Sequence, residues 1–103
     1  LTVVRWTPQG ATDLEAIRTY IERDSPYYAQ LMMERILDRV DQLEMFPFSG
    51  RVVPEVDRSD VRELIERPFR IVYRWQEELI WILTIFHSSR QFPEITLGSA
   101  EPP

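Results

Sequence analysis

The chain has 103 residues, of which 44% are hydrophobic and 12% aromatic, and a formal net charge of -5. That supplies one apolar core and no length for a second, so a single folded domain is expected rather than a wholly disordered chain. The negative balance argues against a surface built throughout to grip nucleic acid, the lack of cysteine excludes disulfides and thiolate chemistry, and no apolar run approaches the roughly 20 residues of a membrane helix, so a cytoplasmic protein without membrane contact is expected.

Residues 2 to 6, TVVRW, are β-branched and aromatic and predict a first strand. Thr7 and Pro8 then form an N-cap and first-turn pair, while Thr12 with Glu15 offers a capping box one turn later, so a helix starts between them. Ala11, Leu14, Ile17, Tyr20 and Ile21 recur at helical spacing as its apolar stripe, and Gly10 weakens its first turn. Ser25 and Pro26 repeat the signal for a second helix, whose stripe is Ala29, Met32, Met33, Ile36, Leu37, Val40 and Leu43. It is predicted to run to about Glu44 or Met45, where MFPFSG stops it. So short a connection folds the two helices into an antiparallel hairpin.

After Gly50 the helical period is lost and three strands are predicted: VRELI at 61–65, FRIVYRW at 69–75 and LIWILTIF at 79–86. A turn centred on Glu77 and Glu78 sets Trp75 opposite Ile80. Continued without interruption, that register puts Phe69, Ile71, Tyr73 and Trp75 on one face with Ile80, Ile82, Thr84 and Phe86. Arg70, Val72 and Arg74 then share the other with Trp81, Leu83, Ile85 and His87. Both faces are largely apolar, and a helical hairpin covers one. Either the segment from Gln91 folds back over the second face or a partner covers it. The Gly, Ser and Pro of GSAEPP favour a frayed end at 99–103 after a domain spanning 1–98, and hence a partner.

All twelve basic residues are arginine, and Arg62, Arg67, Arg70 and Arg74 make residues 61–75 locally positive. They read either as anion-binding forks or as strand charges paired with acidic neighbours. One histidine, no cysteine and scattered carboxylates do not make a metal ligand set, and three glycines make no phosphate-cradling loop, so neither metal nor cofactor is expected. Ser88 and Ser89 beside His87 lack a nucleophile elbow. In the uninterrupted register His87 lies diagonally from Arg70 on one sheet face, with Arg90 close behind. Those are parts that acid and base cleavage of RNA would use. The alternative is that His87 ends the last strand and the arginines hold acidic groups of this chain or of a partner.

WTPQGATDLEAIRTYI, the helix from Pro26, FPFSGRVVPE, VRELI, FRIVYRW and ILTIFHSSR, in this order and spacing, resemble the RelE/ParE superfamily of toxins from bacterial type II toxin-antitoxin systems. The resemblance implies an α+β fold: an N-terminal strand, an antiparallel helical hairpin, then three antiparallel strands in one twisted sheet. It implies a cognate antitoxin protein, with Arg62, Arg70, Arg74, Trp81, Leu83, Ile85 and Arg90 as residues that bind it or the target. The RelE-like branch cuts mRNA in the ribosome; there Arg70, His87 and Arg90 would be the catalytic candidates. The ParE-like branch poisons DNA gyrase. Absence of lysine, absence of a tyrosine after Tyr73, the acidic balance and the FHSSR ending favour the ParE side, with mRNA cleavage as the alternative and an inactive antitoxin-binding module as a third reading.

Overall fold

A computed structural model describes residues 2–97; the tail expected at 99–103 lies outside them. Strand β1, Val3–Trp6, leads directly into helix α1, Pro8–Glu22. Thr7 caps that helix: its side chain accepts a hydrogen bond from the Gly10 N–H (2.9 Å), and Pro8 takes the first helical position. The helix therefore begins at the earlier of the two signals, with Thr12 inside it. Ser25 caps α2, Pro26–Gln42, by accepting from the Tyr28 N–H (3.1 Å). α2 ends two or three residues earlier than expected, at Gln42.

The sheet has five strands in the order β1-β5-β4-β3-β2, where β2 is Arg51–Val52, β3 Val61–Glu66, β4 Phe69–Gln76 and β5 Leu79–His87. The α+β class and the antiparallel run β3-β4-β5 agree with the sequence reading. Two details correct it: β1 lies parallel against β5, and the two-residue β2 extends the far edge. A strand of two residues carries no period to detect.

One face of the sheet packs on the helical hairpin. Met32, Ile36, Val40 and Leu43 of α2, with Leu14, Ile17 and Ile21 of α1, meet Leu64, Phe69, Ile71, Tyr73, Ile80, Ile82 and Ile85. On the second face Val61, Val72, Leu83 and Phe86 are closed over by Val53 and Val56, which follow β2, and by Phe92, Ile95 and Leu97. The expectation that this face waits for a partner is thus corrected. The residues after Gln91 include three well-spaced apolar side chains, enough to outweigh the polar end beyond them.

The β4-β5 hairpin turns at Glu77 and Glu78, and Trp75 pairs with Ile80 and Tyr73 with Ile82 as expected. Beyond that the uninterrupted register fails. A β-bulge next to Val72 and Tyr73 inserts one residue into β5, so Val72 pairs with Thr84, Ile71 with Ile85, Arg70 with Phe86 and Phe69 with His87. Thr7 fastens the bulge. Its hydroxyl lies 2.9 Å from the carbonyl of Ile82 and 3.2 Å from that of Leu83, and its N–H donates to Ile82 (3.1 Å). Thr84 donates to the Asp13 carboxylate at 2.6 Å, tying the first turns of α1 to the same point.

Candidate functional site

The bulge separates the residues that an RNA-cleaving site would bring together. His87 stands opposite Phe69, its ring edge-on to the phenyl ring at a centroid distance of 5.7 Å. Its Nδ1 accepts from the Ser89 N–H (3.1 Å) and lies 2.7 Å from the Ser89 hydroxyl, closing the turn in which the Arg90 N–H donates to the His87 carbonyl (3.0 Å). Arg70 projects from the opposite face, its guanidinium 5.0 Å from the Phe86 ring centre and 5.5 Å from that of Phe92. Arg90 is exposed past the strand end. The diagonal pairing of His87 with Arg70 expected from an uninterrupted register is therefore overturned, because one extra residue in a strand reverses every side chain beyond it.

Arg70 is also engaged through all three of its guanidinium nitrogens. Its Nη1 and Nη2 donate to the two carboxylate oxygens of Glu55 (2.9 and 2.8 Å), and its Nε donates to Glu63 (2.6 Å). The Glu63 side chain is 0% exposed and takes a second bond from Arg51 Nε at 2.7 Å. A carboxylate so deeply buried is tolerated only when cations satisfy both oxygens, which Arg51 and Arg70 do. Hydrogen bonding to Arg70 holds the Glu55 carboxyl down at about 2, and Glu55 in turn raises Arg70 further above its ordinary range. Arg70, resting on Phe86 and Phe92, ties the segment after β2 and the final segment onto the second sheet face.

The other arginines divide. Arg74 donates to Asp60 (3.0 Å), as does Arg58; burial alone would raise the Asp60 carboxyl, but these two bonds carry it below its usual range. Arg62 donates to the backbone carbonyls of Ser59 (3.0 Å) and Gly50 (3.1 Å). Arg90 makes no side-chain bond among the described residues. Of the apolar candidates, Leu83 and Ile85 are wholly covered by the chain itself, on opposite faces, and Trp81 is half-buried with its indole N–H unpaired. Among the described residues no cluster of three or more His, Asp or Glu side chains is placed to hold a metal ion, and no helix is long and apolar enough to cross a membrane.

Two surfaces that sequence reasoning did not single out are accessible. A shallow depression runs along the outer face of α1, lined by Ala11, Thr12, Glu15, Ala16, Thr19, Tyr20 and, just past the helix end, Arg23. Tyr20, assigned above to the core stripe, is 69% exposed on it. The second surface is the loop after α2, where Met45, Phe46 and Phe48 are exposed. Its signal was present: MFPFSG places three large apolar residues where the helical period has already broken.

The family pattern described as "ParE toxin of type II toxin-antitoxin system, parDE" matches residues 4–92. Y4kP of Sinorhizobium fredii is 37% identical over 94 residues, covering 89% of this chain and 94% of its own. Toxin RelE2 of Caulobacter vibrioides is 36% identical over 88 residues, covering 84% and 96%. A chain in a solved structure of the chromosomal ParDE TA system from P. aeruginosa superposes with a TM-score of 0.68 at 30% identity, covering 84% of this chain and 95% of its own.

Proposed function

Because the chain belongs to the ParE toxin family of type II toxin-antitoxin systems, we propose that it arrests growth by poisoning DNA gyrase and that a cognate antitoxin neutralises it. The observation that carries the gyrase reading is the separation of His87 from Arg70 by the β5 bulge, together with the engagement of Arg70 by Glu55 and Glu63. Cleavage of RNA needs a proton acceptor, a proton donor and a free cation converging on one phosphate. Here the histidine closes a turn on one face and the arginine clamps carboxylates on the other. A toxin that acts by holding a protein target needs no such convergence.

The antitoxin reading draws on the solved ParDE relative and on the depression along α1, whose small side chains leave room for an apposed helix. Arg90, exposed and without a side-chain bond among the described residues, would meet its carboxylates.

The test is an assay of purified protein on gyrase and on translating ribosomes. Gyrase-dependent DNA breaks are expected with the native protein and equally with His87→Gln, with added mRNA left intact. Ribosome-dependent mRNA cleavage abolished by His87→Gln would overturn the gyrase reading.

A further inference from the structure

We propose that the end of the sheet carrying the β4-β5 turn is a docking surface for a basic amphipathic segment of another protein. Met45, Phe46 and Phe48 are 71%, 61% and 57% exposed, and the Phe48 ring stands edge-on to Trp75 at 4.2 Å. Three large apolar side chains within four residues, left in water, form the kind of contiguous patch that marks an interaction site.

The loop bearing them is held rather than loose. The Tyr73 hydroxyl donates to the Pro47 carbonyl (2.8 Å) and accepts from the Gly50 N–H (3.0 Å), while the Phe46 N–H donates to Gln42 and the Ser49 N–H to Phe46. Gly50 packs so closely that a Cβ there would lie 2.6 Å from the Glu63 carbonyl oxygen. The backbone is thus fixed in advance of binding, which lowers the ordering cost a partner would face.

Charge identifies the occupant. The Thr2 N–H donates to the Glu44 carbonyl and the Val3 N–H to that of Glu78, so the loop after α2 and the β4-β5 turn flank the start of β1. Asp41, Glu44, Glu77 and Glu78 are all exposed at this end, and residues 40–50 and 75–80 contain no arginine or lysine. None of the four carboxylates is in an ion pair among the described residues. An apolar patch in an acidic frame fits a segment whose apolar anchors are flanked by Arg or Lys. A second copy of this chain fits badly, since a twofold axis through the patch would set its carboxylates against their own images. The inference stands apart from the choice of toxin target.

The experiment titrates the full chain with a short amphipathic Leu/Arg helix, and separately with its Leu/Glu counterpart, following backbone amide NMR shifts. Shifts confined to residues 41–50 and 75–80 are expected with the Leu/Arg peptide and none with the Leu/Glu one. Binding should weaken at least about tenfold in Phe46→Ser/Phe48→Ser and again in Glu44→Gln/Glu77→Gln/Glu78→Gln. All five positions are exposed, and unchanged amide spectra elsewhere verify the fold. Shifts spread over other acidic surfaces, undiminished binding by either variant, or equal binding of the Leu/Glu peptide would overturn the proposal. So would a concentration-dependent dimer abolished by Phe46→Ser, which would assign the patch to a second copy.

Discussion

A Cβ on Gly10 would lie 2.5 Å from the carbonyl oxygen of Ile82, closer than any relaxed contact. Glycine inside a helix costs about 1 kcal/mol relative to alanine, so propensity alone predicts that Gly10→Ala stabilises the protein. The close approach of α1 to the bulged strand reverses that sign. Pushing the helix off β5 also strains the Thr7 bonds to Ile82 and Leu83. A net loss of about 1–3 kcal/mol in denaturant unfolding is expected, and equal or greater stability would show that the approach is not tight. Glu55 gives a second residue-scale outcome. Its carboxyl is lowered from 4.5 to about 2, first by the Arg70 hydrogen bonds. The folded value lies below the unfolded one, so this contribution is complete above about pH 4.5 and disappears as pH falls toward 2. With the Glu55 side chain 42% exposed, solvent screening limits it to at most about 1 kcal/mol. Arg70→Met should return the Glu55 midpoint in a carboxyl NMR titration to near 4.5; an unmoved midpoint would mean that another group holds it.

At the scale of elements, the two helices and the three long strands were legible because each carries many residues of one period, bounded by Thr7-Pro8, Ser25-Pro26 and MFPFSG. The hairpin turn was legible too, although Glu77 adopts φ 57°, a left-handed conformation that glutamate disfavours. Glu77→Asn is expected to raise stability by about 0.5–1 kcal/mol, since asparagine tolerates this region better; a thermal melt at or below the native value would contradict it. The bulge was not legible. LIWILTIFH is apolar on both faces, so sliding the strand by one residue leaves the binary pattern nearly unchanged. What selects the bulge lies far off in sequence, in Thr7, Gly10 and Asp13 of α1. The candidate site inherited that error, because the facing of His87 and Arg70 depends on it.

Over the whole molecule, a helical hairpin covers one sheet face while Val53, Val56 and the segment from Phe92 to Leu97 cover the other, with Arg70 riveting the latter two. Arg62, Arg70 and Arg74 bond within the chain, to backbone carbonyls and to Glu55, Glu63 and Asp60, which accounts for a locally basic stretch in an acidic chain. Sequence order showed the family; the internal use of its arginines needed the fold. The measurement that bears most directly on the proposed activity is parallel pulse labelling of DNA and protein synthesis within minutes of inducing this chain in bacteria without antitoxin. DNA synthesis should fail while translation continues. Translation stopping first would contradict a gyrase target and make the ribosome the site of action.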